Sequence, residues 1–177
     1  MLAVCSGSNC PPQARRGQQL ARLTGMAARV VQINQNTGVA LASGPKRTLL
    51  YVEDNPANLE LVEQLIVRRS DLKLLTAIDG HLGLAVARLQ RPDVILLDIN
   101  LPGIGGFDLL KMLRDEPATA HIPVLALSAN AVPRDIAKGL EAGFFRYLTK
   151  PVKIGEFMDA LDLALAHAAE PELSDPP

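Results

Sequence analysis

A chain of 177 residues, 48 % of them hydrophobic, is long enough for one domain with a buried core plus some tail. Its net charge of −1 excludes a whole-chain field that would recruit nucleic acid or an acidic membrane surface. No run of about 18 apolar residues occurs, which argues against a membrane-spanning helix, and the start lacks the continuous apolar stretch of a secretory signal.

The first 45 residues differ from the rest. They hold Arg15, Arg16, Arg22 and Arg29 and no Asp or Glu, whereas every acidic residue lies from Glu53 onward. Breakers interrupt any sustained period, although a short helix over residues 18–28 and a strand-like run over 30–33 are compatible with the pattern. Cys5 and Cys10 form a lone C-x₄-C. A zinc site needs four ligands, so two free thiols are the simpler reading. The absence of cysteine elsewhere suits a reducing cytosol and a cytoplasmic location. An Arg-rich, acid-free start also describes transit peptides, a minor alternative. Ser43-Gly44-Pro45 reads as a linker, so residues 1–45 are expected to be a flexible segment and residues 46–169 the folded domain.

From Lys46 strand and helix alternate. Thr48-Leu49-Leu50-Tyr51-Val52 is a short apolar strand that ends on Glu53-Asp54. Asn55-Pro56 predicts a helix start, because Asn caps well and Pro suits the first helical position. Leu59, Val62, Leu65 and Ile66 then recur at helical spacing. Residues 72–77 predict a second strand, Asp79-Gly80 a turn, and Leu82, Ala85, Val86 and Leu89 a second helix. Val94-Ile95-Leu96-Leu97 is the most strand-like run and ends on Asp98. Pro102-Gly103 turns the chain into a third helix marked by Phe107, Leu110 and Leu113. Residues 123–127 predict a fourth strand ending on Ser128, and residues 134–141 a fourth helix stopped by Gly143. Residues 145–148 predict a fifth strand, followed by Thr149-Lys150-Pro151. A last helix carries Ile154, Phe157, Met158, Leu161 and Leu165. The polar, Pro-rich residues 170–177 are expected to be a disordered tail.

Five such alternations call for an α/β fold, a doubly wound parallel sheet of flavodoxin type with strand order 2-1-3-4-5. Ligands bind such sheets outside the carboxyl ends of the strands. Glu53, Asp54, Asp98, Ser128 and Lys150 all stand at those ends. Three carboxylates in one pocket repel one another unless a cation joins them. Oxygen-only ligands favour a hard ion, and Mg²⁺ takes one or two carboxylates plus phosphate oxygens, with Mn²⁺ as an alternative. Lys150 and Ser128 then suit the oxygens of a phosphoryl group in transfer, and the remaining carboxylate suits a nucleophile.

Residues 46–169 resemble a receiver domain of two-component signalling, such as the C-terminal receiver of hybrid sensor histidine kinases. The resemblance rests on Leu50-Tyr51-Val52-Glu53-Asp54-Asn55, Leu97-Asp98-Ile99-Asn100-Leu101-Pro102-Gly103, Leu127-Ser128-Ala129-Asn130-Ala131 and Tyr147-Leu148-Thr149-Lys150-Pro151, in that order. It implies that Asp98 is the phosphoacceptor, and that Asp54, Asp98 and the Asn100 backbone carbonyl bind Mg²⁺. Glu53, in place of the commoner Asp, would act through a metal-bound water. Ser128 and Lys150 would contact the phosphoryl oxygens, and Tyr147 would be the switch aromatic. Asn100 and Asn130 would border the path of the hydrolytic water and tune phosphate lifetime. A cis Lys150-Pro151 peptide is typical of the family. The implied partners are a histidine kinase or histidine phosphotransfer protein, and a downstream protein at the face formed by the fourth helix, fifth strand and fifth helix, with a dimer as an option. Such a switch catalyses only its own phosphorylation and dephosphorylation.

Two other classes compete. An aspartyl-phosphate phosphatase would offer a second acid two residues beyond the nucleophile, where this chain has Asn100, and would need a substrate-enclosing cap. A phosphate-independent adaptor would be favoured by a missing Asp98, Asp54 or Lys150, and all are present. His81, His121 and His167 share no spacing that suggests a relay and read as surface or structural residues. No helix-turn-helix pattern is present to bind nucleic acid.

Overall fold

The computed structural model describes residues 46–129 and 132–169. The expected linker, the short helix at 18–28, the tail and Asn130 lie outside the described residues. Five strands, β1 (Arg47–Val52), β2 (Leu72–Ala77), β3 (Val94–Asp98), β4 (Val124–Ser128) and β5 (Arg146–Thr149), alternate with five helices. The helices are α1 (Pro56–Ile66), α2 (Gly80–Gln90), α3 (Gly106–Arg114), α4 (Pro133–Glu141) and α5 (Ile154–Ala169). The strands are all parallel and ordered β2-β1-β3-β4-β5, as the alternation requires. Among the described residues, no helix is long and apolar enough to cross a membrane.

Side chains alternate across a strand, so β1 feeds two cores. Leu50 and Val52 join Leu75, Ile95, Leu97 and Val124 on the face covered by α2 and α3. Leu49 and Tyr51 join Leu74, Leu96, Leu125 and Leu127 on the face covered by α1 and α5. Both faces are covered, which explains why β3 reads as an unbroken apolar run and is buried along its whole length.

Local chemistry sets the helix ends. Asn55 caps α1, its side chain accepting from the Ala57 amide, with Pro56 in the first turn. Asp79-Gly80, expected as a turn, instead opens α2. The Asp79 carboxylate accepts from the Leu82 amide at 2.8 Å, and Gly80 is already helical. An acceptor that closes an Asp turn satisfies a helix N-terminus equally well, so the dipeptide signals either. Gly143, at φ +104°, follows the end of α4 in a conformation that side-chain-bearing residues avoid.

Candidate functional site

Backbone pairing that runs past the regular strands places the polar residues. The Glu53 amide donates to Ala77 O at 3.0 Å, Ile99 N to Leu127 O at 2.9 Å, and Lys150 N to Ser128 O at 2.7 Å. These bonds tie the end of β1 to β2 and the ends of β3 and β5 to β4, and the pairing of Val52 with Leu97 joins the two sets in one row. The Lys150-Pro151 peptide that follows β5 is cis.

Three carboxylates converge there. Glu53, Asp54 and Asp98 each offer an oxygen within 4.8 Å of the other two. Glu53 and Asp98 are buried, and Asp54 is exposed. Lys150 Nζ stands 2.7 Å from both Glu53 Oε2 and Asp98 Oδ2, tying β5 to β1 and β3 across 97 and 52 residues of sequence. Asp98 Oδ1 accepts the Asn100 amide at 3.0 Å. Asn100 is exposed, and the contact it makes with Asp98 comes from its N–H.

Glu53 is the most heavily bonded of the three. Its Oε2 also accepts the Tyr51 hydroxyl at 2.8 Å, its Oε1 accepts the Asn55 amide at 3.2 Å, and the Asn58 side chain adds a further bond. Burial alone would raise the Glu53 carboxyl. Hydrogen bonds from Lys150, Tyr51 and Asn58 outweigh it and hold the group below its ordinary value. Burial likewise opposes the Lys150 ammonium, yet the bonds to Asp98 and Glu53 raise it. Burial, followed by the Glu53 charge, pushes the Tyr51 phenol well above its ordinary value of 10.0. Glu53 therefore stays charged and Tyr51 stays a donor.

Ser128 is buried at the end of β4, in register with Thr149. Tyr147 is half-buried on β5. Its ring is edge-on to Phe144 with centroids 6.4 Å apart, and Phe144 is edge-on to Phe107 at 5.4 Å. The slot it occupies on α4 exists because Gly139 has no side chain. A Cβ there would stand 2.5 Å from Tyr147 Cδ2.

The structure thus brings Glu53, Asp54, Asp98 and Lys150 together, with Ser128 on the same sheet edge. Tyr51 and Asn58 touch Glu53 and were not singled out by sequence. The signal for Tyr51 was available. It is a hydroxyl-bearing residue in an aliphatic strand, two positions before Glu53 and so on the same face. Asn58 carries no comparable signal, since a polar residue in the first turn of a helix is ordinary.

An oxygen-only set with an open, exposed member fits a hard divalent cation better than a soft one. Three carboxylates beside one ammonium also leave net negative charge that a cation could offset.

A family model described as the response regulator receiver domain matches residues 49–162. The response regulator PleD of Caulobacter vibrioides is 40 % identical over 104 residues, 59 % of this chain, which spans only 23 % of that relative. The polar-differentiation response regulator DivK of Brucella anthropi is 34 % identical over 122 residues, covering 69 % of this chain and 98 % of DivK. Among solved structures, the receiver domain of the sensor histidine kinase PA1611 from Pseudomonas aeruginosa is similar, with TM-score 0.62 and 32 % identity. That match covers 68 % of this chain and 98 % of the other, whose structure holds a magnesium ion in its active-site cleft.

Proposed function

The chain belongs to the response regulator receiver domain family, and from that premise we propose that it is a phosphorelay switch in which Asp98 accepts a phosphoryl group from a phosphohistidine donor. Receiver domains interact with histidine kinases or phosphotransfer proteins and with downstream partners, and they bind Mg²⁺ at an acidic site. The observation that carries the reading is the Lys150 ammonium bridging Glu53 and Asp98 at 2.7 Å each, beside exposed Asp54.

In this reading an Asp98 carboxylate oxygen attacks phosphorus. The phosphorus–nitrogen bond of the donor breaks, the imidazole leaves, and an acyl phosphate forms. Asp54, Asp98 and the Asn100 backbone carbonyl would hold Mg²⁺, with Glu53 reaching it through water. The ion would offset negative charge on the phosphoryl oxygens during transfer. The Asn100 amide fixes one oxygen of Asp98, which orients the other. Lys150 exchanges its bond to Asp98 for one to a phosphoryl oxygen, and the Ser128 hydroxyl donates to another.

The product adds roughly −1.5 to −2 charges at the sheet edge. A partner that prefers the charged form shifts the population toward it. Tyr147, beside α4, is the aromatic placed to report the change, and the face of α4, β5 and α5 is the proposed output surface.

Incubation with acetyl phosphate and Mg²⁺ should add one phosphoryl group by intact mass, and Asp98→Asn should abolish the addition. Undiminished labelling of that variant would overturn the reading.

A further inference from the structure

Glu53 is 1 % exposed. A carboxylate so buried must have its oxygens satisfied. Oε2 is taken twice, by the Tyr51 hydroxyl at 2.8 Å and by Lys150 Nζ at 2.7 Å. Oε1 has the Asn55 amide at 3.2 Å, the longest of these bonds, and the Asn58 side chain adds one more bond to the carboxylate. The Tyr51 ring is itself fully buried among Leu49, Leu74 and Leu96 on the α1 and α5 face of the sheet. A phenol in such surroundings needs a partner for its hydroxyl, and Glu53 is the one it has. Because the ring is packed on all sides, its hydroxyl is a fixed donor. Lys150, by contrast, reaches the site on a long stem that is 20 % exposed.

We propose that Tyr51 is a positioning residue of the cation site: its hydroxyl locks the rotation of the Glu53 carboxylate, so that Oε1 is the oxygen with capacity left for a metal-bound water. The inference rests on the cation site proposed above and adds a residue to it. The lock is independent of Lys150. When Lys150 leaves Asp98 for a phosphoryl oxygen, Glu53 keeps its orientation through Tyr51 and the metal-side contact is preserved.

Isothermal titration with Mg²⁺ tests this on the whole chain, in wild type, Tyr51→Phe, Glu53→Gln and the double variant. Tyr51→Phe deletes one oxygen and leaves the packing ring. It should raise the Mg²⁺ Kd about threefold to tenfold, at or below the lower end of what loss of an outer partner of a metal site costs. In the Glu53→Gln background the same change should have no further effect on Kd, since the hydroxyl acts only through that carboxylate. An unchanged Kd in Tyr51→Phe, or an equal loss in both backgrounds, overturns the inference while leaving the cation site standing. Absence of Mg²⁺ binding by the wild-type chain overturns both.

Discussion

Helices α3 and α4 are both nine residues long, and each has an acid in its first turn and a base in its last. They are packed very differently. α3 buries Leu109, Leu110 and Leu113 as well as Gly106, whereas α4 buries only Gly139 and leaves Leu140 47 % exposed. The strands they serve follow the same division: β3 is buried throughout, and β5 is half-buried or exposed along its length. Asp98 stands at the end of the tightly packed strand, where a carboxylate can be held in one orientation by Asn100 and Lys150. Tyr147 stands half-buried on the lightly packed one, with its ring against Phe144 and Gly139. In the proposed switch the phosphoacceptor would sit on the tightly packed half, and the lightly packed edge, which carries Lys150 at its end, would be the part that a modest binding energy moves.

Truncation on the two helices should break the symmetry of their lengths. Leu109→Ala should cost about 2–5 kcal/mol of stability, the range for a fully buried leucine, while Leu140→Ala should stay within about 0.5 kcal/mol. Urea unfolding of the two variants compares them directly. Losses of similar size would remove the distinction between the halves.

Lys150 is one of the side chains that join them. Its removal leaves Glu53 and Asp98 facing each other without an ammonium. Loss of one partner of a buried pair is costly, but Lys150 is partly exposed. We expect Lys150→Ala to destabilise the metal-free protein by about 1–3 kcal/mol. Mg²⁺ should restore more stability to this variant than to the wild type, because the ion replaces the missing charge. Thermal unfolding with and without Mg²⁺ reads the difference. Equal stabilisation of the two proteins would show that Lys150 does not balance the carboxylates.

Much of this arrangement was legible before the structure. Five apolar runs separated by helical periods, four of them ending on a polar residue, leave one common topology, and that topology alone gathers Glu53, Asp54, Asp98, Ser128 and Lys150 at one edge. Asn55-Pro56 marked a helix start because capping is local chemistry. What stayed hidden depends on contacts distant in sequence, or on which of two local solutions wins. Asp79 could close a turn or cap α2, and only the packing of α2 decided it. The bond of Tyr51 to Glu53 needed β1 to be a strand buried on both faces. Nothing in the sequence singles out Gly139, because the ring it accommodates comes from β5.

That glycine offers the finest test of the lightly packed half. In an ordinary helix interior, replacing glycine by alanine gains about 0.5–1 kcal/mol. At Gly139 the new methyl would meet Tyr147 at 2.5 Å from Cδ2 and 2.7 Å from Cε2, so the ring has to leave its slot. Overpacking of this kind costs about 1–3 kcal/mol, and an exposed edge that yields easily should keep it at the low end. Gly139→Ala should therefore be destabilising by about 1 kcal/mol or less in the wild-type background. With Tyr147→Ala the clash is gone, and the same substitution should stabilise by about 0.5–1 kcal/mol. The reversal of sign is the diagnostic, read from the four urea midpoints of the cycle. Stabilisation in both backgrounds would mean that the Tyr147 ring leaves α4 at no cost. The aromatic chain from Phe107 through Phe144 would then not tie the edge to α3, and the contrast between the two helices would rest on leucine burial alone.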